Sequence, residues 1–270
     1  MTFPNYKENE EYGESIFNGI KMSARERNVK ERLALLKKSG IIPMAEMLEI
    51  GSHEGLFLRE AQKAGFEILG IEPNLYAANY AIKNGLPTIV GSFKEAFEKI
   101  KDKKFDIVAL FHTLEHMPGY LENLKKIKTI INPGGYLIIE VPNSESYRSK
   151  KYGNDWMYVY EEHLHNFSPD FLKKILLNLN FKVKKNYFRD FDIKYLSVKA
   201  LLDRLLPFKF HMANINRSKI KQKVSCSSGD VLKTKITMHF LLSPVKFFLI
   251  FCVKILHRGD FIMVVAKWAD

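Results

Sequence analysis

From Met47 onward, short apolar runs alternate with amphipathic stretches, and that alternation sets the expected architecture. Met47–Ile50, Glu67–Ile71, Thr88–Val90, Phe105–Phe111 and Tyr136–Val141 read as strands, each a short apolar or β-branched run bounded by turn residues. Between them Leu56–Ala64, Leu75–Lys83, Lys94–Ile100 and Tyr120–Ile131 carry apolar residues at helical spacing. Gly65, Gly85 and the Asn132-Pro133-Gly134-Gly135 stretch stand where helices must stop, because glycine takes the left-handed cap conformation without a Cβ clash. Ser168-Pro169-Asp170 predicts a helix start, with a hydroxyl at the cap and proline in the first turn, running to Asn180. Phe181–Phe188 and Phe261–Lys267 complete a set of seven strands. The pattern predicts an α/β fold, a mostly parallel sheet with helices on both faces.

Two stretches stand outside the alternation. Ser23–Lys38 predicts a basic helix with Ser23 as N-cap and Val29, Leu33 and Leu36 on one face, packed at the edge of the sheet domain. Residues 192–259 predict a helical insertion before the last strand. The chain then divides into a tail and helix (1–44), a ligand-binding sheet domain (45–191), the insertion as a substrate cap or interface (192–259) and the final strand (260–270). Within the insertion, Ser243–His257 predicts a helix with a broad apolar face. Such a face packs on the sheet, on a second subunit, or on an anionic membrane as a peripheral contact. Ser243, Pro244, Lys246 and Lys254 interrupt it too often for a membrane span.

Composition narrows the class. Hydrophobic residues at 46% and charged residues at 27% exclude a disordered chain. The excess of 42 Lys+Arg over 30 Asp+Glu, a formal charge of +12, calls for an anionic partner: a phosphorylated or nucleotide-linked small molecule, a nucleic acid or a membrane surface. Two cysteines, Cys226 and Cys252, give no disulfide framework, and Met1–Glu14 lacks a secretory pattern, so a cytoplasmic protein is expected.

The most informative segment is Leu48-Glu49-Ile50-Gly51-Ser52-His53-Glu54-Gly55, where the first strand feeds the first helix. Open α/β sheets bind ligands beyond the carboxyl ends of their strands, and a helix N-terminus there favours an anion. Gly51 permits the tight turn, and Gly55 permits close approach of helix and ligand. Glu72, ending the second strand before Pro73, is placed to accept both hydroxyls of a ribose. A dinucleotide would share these features, but it requires glycine where His53 stands, since that side chain crowds a pyrophosphate. A phosphate-free nucleoside ligand fits better.

These residues resemble the Rossmann-like class of S-adenosylmethionine-dependent methyltransferases, and within it bacterial enzymes similar to those of ubiquinone and sugar or polysaccharide pathways. The resemblance is carried by Leu48-Glu49-Ile50-Gly51 with Gly55, Gly70-Ile71-Glu72-Pro73, Phe105-Asp106-Ile107-Val108 and Phe111-His112-Thr113-Leu114-Glu115-His116. It continues through Asn132-Pro133-Gly134-Gly135, Ile139-Glu140-Val141-Pro142-Asn143, Glu162-His163-Leu164 and Phe167-Ser168, and spans Ala45 to about Asp190 with the last strand. It implies S-adenosyl-L-methionine as cofactor, held by Glu49, Gly51, His53, Gly55, Glu72 and Pro73. It further implies that Gly91, Ser92 and Phe93 border the adenine and that Phe111 and His112 approach the methionine end.

The acceptor is expected to be a small molecule, a glycan or a lipid-linked compound, methylated at a hydroxyl oxygen. A base must then take the hydroxyl proton, and histidine suits the task. His163 is the first candidate and His112 the second, with His116, Trp156, Tyr158 and His165 as walls of the acceptor pocket. Methyl transfer to oxygen does not require a metal, so none is expected, although His112 and His116 stand at a ligand-like spacing. A nucleic-acid methyltransferase is the second reading, suggested by the basic stretch Arg217–Lys223, and a non-catalytic cofactor-binding module is the third.

Overall fold

A computed structural model of the protein describes residues 19–189 and 259–269. The insertion before Gly259, with the Ser243–His257 helix and the Arg217–Lys223 stretch, lies outside the described residues. The elements are α1 (Gly19–Lys38), β1 (Glu46–Ile50), α2 (Leu56–Lys63), β2 (Glu67–Glu72), α3 (Leu75–Lys83), β3 (Thr88–Val90), α4 (Phe93–Ile100) and β4 (Phe105–Phe111). They continue with α5 (Tyr120–Thr129), β5 (Ile131–Pro142), α6 (Tyr147–Tyr152), α7 (Pro169–Asn178), β6 (Phe181–Arg189) and β7 (Phe261–Trp268). Short 3₁₀ turns occupy Leu114–His116 and Gly153–Asp155.

The strands form one seven-stranded sheet in the order β3-β2-β1-β4-β5-β7-β6. The first five run parallel, and β7 is antiparallel to both β5 and β6. Period-two alternation sorts the strand side chains onto two faces. Ile50, Leu110, Ile139 and Val264 lie in register across the middle of one face, under α4, α5 and α7, whose Ala96, Leu124 and Leu172 are fully buried. Met47, Ile107, Ala109, Ile138 and Val265 face the other way, under Phe57 and Ala61 of α2 and Val29 and Leu36 of α1. Both faces are covered, as a central parallel sheet demands.

Two expectations are corrected. Helix α1 starts at Gly19, so Ser23 lies within it and is not its cap, and the helix packs on a face of the sheet and not at its edge. Residues Asn132–Gly135 do not form a free turn but enter β5, whose register against β4 shifts between Phe105 and Ile107. A Cβ on Gly135 would stand 2.9 Å from the Asp106 carbonyl oxygen, so the crossing admits only glycine. Among the described residues no helix is long and apolar enough to cross a membrane.

Candidate active site

The carboxyl ends of β1, β2 and β4 meet at one edge of the sheet. Gly51 turns the chain with φ +79°, and the N–H groups of Gly51 and Ser52 donate to the Ile71 carbonyl at 2.8 and 3.1 Å, tying the turn to β2. His53 follows with φ 49°, a left-handed conformation that costs a non-glycine residue about 1–3 kcal/mol. Its N–H donates to Glu72 Oε2 at 2.7 Å, while the Asn74 N–H donates to Oε1 at 2.8 Å. Glu72 thus joins the turns after β1 and β2, and Asn74, not Glu72, caps α3 through the N–H groups of Tyr76 and Ala77. A carboxylate has roughly four acceptor positions, so about two remain for hydroxyls of a ligand. Burial raises the Glu72 pKa, and the two N–H groups hold that rise back.

Beneath the turn, Glu49 is 3% exposed and its Oε2 has no hydrogen-bond partner among the described residues. Burial pushes its pKa well up, opposed by Arg32 and reinforced by Glu72. The Ser52 hydroxyl is also buried with no partner among the described residues. Orphaned polar atoms gathered at one turn fit a site for a polar ligand. A Cβ on Gly51 would collide with the Thr113 side chain, whose hydroxyl donates to the Ile50 carbonyl at 3.0 Å. The loop after β4 therefore closes directly over the turn. The sequence pattern did not single out Thr113, since a threonine in a loop carries no signal of its own.

Several expected ligand contacts are corrected by burial. A Cβ on Gly55 would stand 2.5 Å from Leu86 Cδ1, so that glycine serves helix packing and not approach to a ligand. The Phe93 ring is 5% exposed in the core beside Phe97, so it does not stack on an adenine. Ser92 caps α4 in a reciprocal capping box with Glu95, which leaves the start of α4 as the possible border there only through backbone. The Phe111 ring packs between Phe57 and the Arg32 guanidinium, 4.3 Å away, and is likewise core. Pro73 is exposed beside Glu72.

His112, in a left-handed turn with φ 55°, points Nε2 at Glu140 Oε1, 3.0 Å away, and Nδ1 at Glu115 Oε1, 3.5 Å away. Burial alone would lower its pKa, but Glu115 and Glu140 outweigh that and raise it. Glu140 is completely buried and is also bound by Arg32 and Arg189. Those cations and His112 overcome burial and hold its pKa well below the ordinary range. His112 is therefore engaged on both nitrogens and is corrected from candidate base to a structural link between two carboxylates.

His163 and His116 converge from opposite loops, their ring centroids 4.6 Å apart. His163 Nδ1 bonds the Tyr158 carbonyl oxygen at 2.7 Å, and His116 Nδ1 bonds that of Glu162 at 2.8 Å. Since a carbonyl only accepts, both imidazoles carry their proton on Nδ1 and turn a lone pair out on Nε2. Burial lowers the His163 pKa. Of the expected pocket walls, Trp156 is 2% exposed and is interior packing, and His165 fastens its loop through Nε2 to the Met117 carbonyl oxygen at 3.1 Å. Tyr158 is half-buried, stacked on His163 and edge-on to Phe261. Glu115, next to His116, is a site residue the sequence pattern missed; an acid followed by histidine at a sheet's carboxyl edge was its only signal.

With this geometry in view, the relationships are consistent. A family model described as a methyltransferase domain matches residues 21–186. The chain belongs to that family and has the fold of the Rossmann-like class that uses S-adenosylmethionine. The ubiquinone biosynthesis O-methyltransferase of Haemophilus ducreyi is 29% identical over 107 residues, 36% of this chain and 45% of that protein. Its counterpart in Bradyrhizobium sp. is 27% identical over 121 residues, covering 44% and 45% of the two chains. The chain spans about half the length of the curated relatives it matches. The crystal structure of a SAM-dependent methyltransferase from Archaeoglobus fulgidus shares the fold with TM-score 0.57, 20% identity, and coverage of 90% and 94%. Magnesium protoporphyrin IX methyltransferase from Synechocystis PCC 6803 with bound SAH gives TM-score 0.52 at 13% identity, covering 64% and 82%. S-adenosyl-L-methionine is the cofactor that this family and the donor set around Gly51 and Glu72 fit.

Proposed function

We propose that the protein transfers the methyl group of S-adenosylmethionine to a hydroxyl oxygen of a small-molecule, glycan or lipid-linked acceptor bearing negative charge. The supporting observation is the His163 imidazole, held at Nδ1 by the Tyr158 carbonyl oxygen so that Nε2 keeps its lone pair, and set against His116 of the 112–116 loop. Thr113 of that same loop lies over the cofactor turn. The bound cofactor supplies an activated methyl on a sulfonium, so the chain's task is alignment and removal of one proton.

Glu72 would hold the ribose hydroxyls, and Glu49 and Ser52 the polar methionine end beneath Gly51. His163 Nε2 would accept the acceptor's proton as its oxygen bonds the methyl carbon and the carbon–sulfur pair passes to sulfur. The partial similarity to ubiquinone biosynthesis O-methyltransferases supports oxygen as the methylated atom. The formal charge of +12 supports an anionic acceptor. A cytoplasmic setting, with peripheral membrane contact through residues 243–257, fits a lipid-linked acceptor.

The test is to incubate the full chain with labelled S-adenosylmethionine and fractionated cytoplasmic and lipid extracts, and to identify the labelled product by mass spectrometry. A methyl ether product formed about 10²–10⁴-fold more slowly by His163→Ala, with cofactor affinity unchanged, is the expected result. Labelling of RNA alone would refute the small-molecule reading.

A further inference from the structure

The loop after β4 and the loop before α7 bring together three side chains whose chemistry exceeds that of a single base. Glu115, His116 and His163 each present one donor atom, and those atoms lie within 4.8 Å of one another. Glu115 is 1% exposed, and among the described residues neither of its carboxylate oxygens has a hydrogen-bond partner within normal bonding distance. Its one charged neighbour of opposite sign among the described residues is His112, whose Nδ1 stands 3.5 Å from Oε1, so the buried carboxylate keeps acceptor capacity that is costly to leave unused.

The two imidazoles are oriented as ligands are. Each gives its Nδ1–H to a backbone carbonyl, Glu162 for His116 and Tyr158 for His163, at 2.8 and 2.7 Å. Metal-bound histidines almost always donate their other N–H in this way, which fixes the ring and leaves Nε2 as the donor. The arrangement differs from the His112–His116 spacing visible in the sequence, because both His112 nitrogens are taken up, Nε2 by Glu140 and Nδ1 by Glu115.

We propose that Glu115, His116 and His163 form a binding site for one divalent transition cation of the zinc class. Two imidazole nitrogens and one carboxylate favour such an ion over magnesium, which prefers oxygen donors and keeps its waters. Ligands about 2.0–2.1 Å from a tetrahedral centre stand about 3.3 Å apart, so the three side chains would draw in by up to about 1.5 Å. Three protein ligands leave a fourth position open, as in catalytic sites.

The proposal deepens the reading of His163 and its surroundings as the acceptor site and rests on it only for the identity of the fourth ligand, the acceptor's hydroxyl oxygen. With the cation present, His163 Nε2 is a ligand. The hydroxyl, made more acidic, would lose its proton to water before its oxygen bonds the methyl carbon and the carbon–sulfur pair stays on sulfur. Without the cation, His163 acts as the base.

The experiment is a titration of tag-free, chelator-stripped full-length protein with Co²⁺ alone, followed by visible d–d absorption. One Co²⁺ per chain, displaced by Zn²⁺ and not by Mg²⁺, is expected. His116→Gln and His163→Gln, both at half-buried positions, should each weaken Co²⁺ binding at least tenfold while calorimetry shows S-adenosylmethionine binding intact. No d–d absorption in the wild-type protein, or undiminished binding in both variants, overturns the site. If methyl transfer persists in chelator and Co²⁺ does not bind, the cation site falls and the His163 base stands. If Co²⁺ binds as described and no extract is methylated, the site stands and the proposed function falls.

Discussion

Replacing Glu72 with glutamine separates what this side chain does for the fold from what it does for the ligand. Its two oxygens accept the N–H groups of His53 at 2.7 Å and Asn74 at 2.8 Å. Hydrogen bonds to a charged acceptor contribute about 1.5–3 kcal/mol each. In Glu72→Gln one oxygen survives, while the new NH₂ group faces a backbone donor, so about one such bond is lost. Part of the loss is returned, because burial already penalises the Glu72 charge. A net fall of about 1–2 kcal/mol in unfolding free energy follows. Cofactor binding loses a charged acceptor for a ribose hydroxyl, about 1–3 kcal/mol, or roughly 5- to 150-fold in Kd. Urea unfolding of the free protein and calorimetry with S-adenosylmethionine measure the two effects separately. A folded Glu72→Gln protein that binds with wild-type affinity would refute the assignment of this edge as the cofactor site.

Gly51→Ala should weaken cofactor binding more than tenfold, since its Cβ meets Thr113 at a left-handed φ; Thr113→Ala should restore part of the loss, and no rescue would break the proposed contact. Phe93→Ala should lower stability by about 3–5 kcal/mol in urea unfolding, as for a core ring, and a neutral result would return Phe93 to the ligand face. Glu140→Gln should cost about 3–5 kcal/mol at neutral pH by breaking a buried network with Arg32, Arg189 and His112. Because the folded pKa of Glu140 lies well below its ordinary 4.5, its contribution is present above that value and is lost as pH falls through the folded pKa. Unfolding free energy measured from pH 7 into acid should therefore fall less steeply in Glu140→Gln, and an unchanged slope would contradict the network.

Much of the fold was legible because its signals are local. The strand runs and their glycine punctuation place β1 to β4 within a residue or two of their observed limits, and Ser168-Pro169 starts α7 as its chemistry dictates. Non-local facts were hidden. Nothing in Phe261–Trp268 announces that it pairs antiparallel between β5 and β6, since a fully buried strand reads the same in either direction. The site shows the same division. Gly51 and Glu72 stand in short motifs, whereas the approach of His163 to Glu115 and His116 and the capture of His112 by Glu140 arise from residues distant in sequence. Phe93 and Phe111 were misplaced because an aromatic residue at a strand or helix end looks identical whether it turns inward or outward.

The position of β7 also sets a timetable for assembly. Among the described residues, strand β6 joins the sheet only by pairing with β7, and β7 in turn covers the open edge of β5. During synthesis Phe181–Arg189 emerges with no partner, and it must wait through the whole of residues 190–258 before Phe261–Trp268 arrives to seat it. Until then Ile138 and Ile139 lie on an unpaired, strongly apolar edge that invites association with other chains. Ribosome-bound chains halted before Phe261 should thus depend on holding chaperones, and their release should coincide with the emergence of those last eight sheet residues.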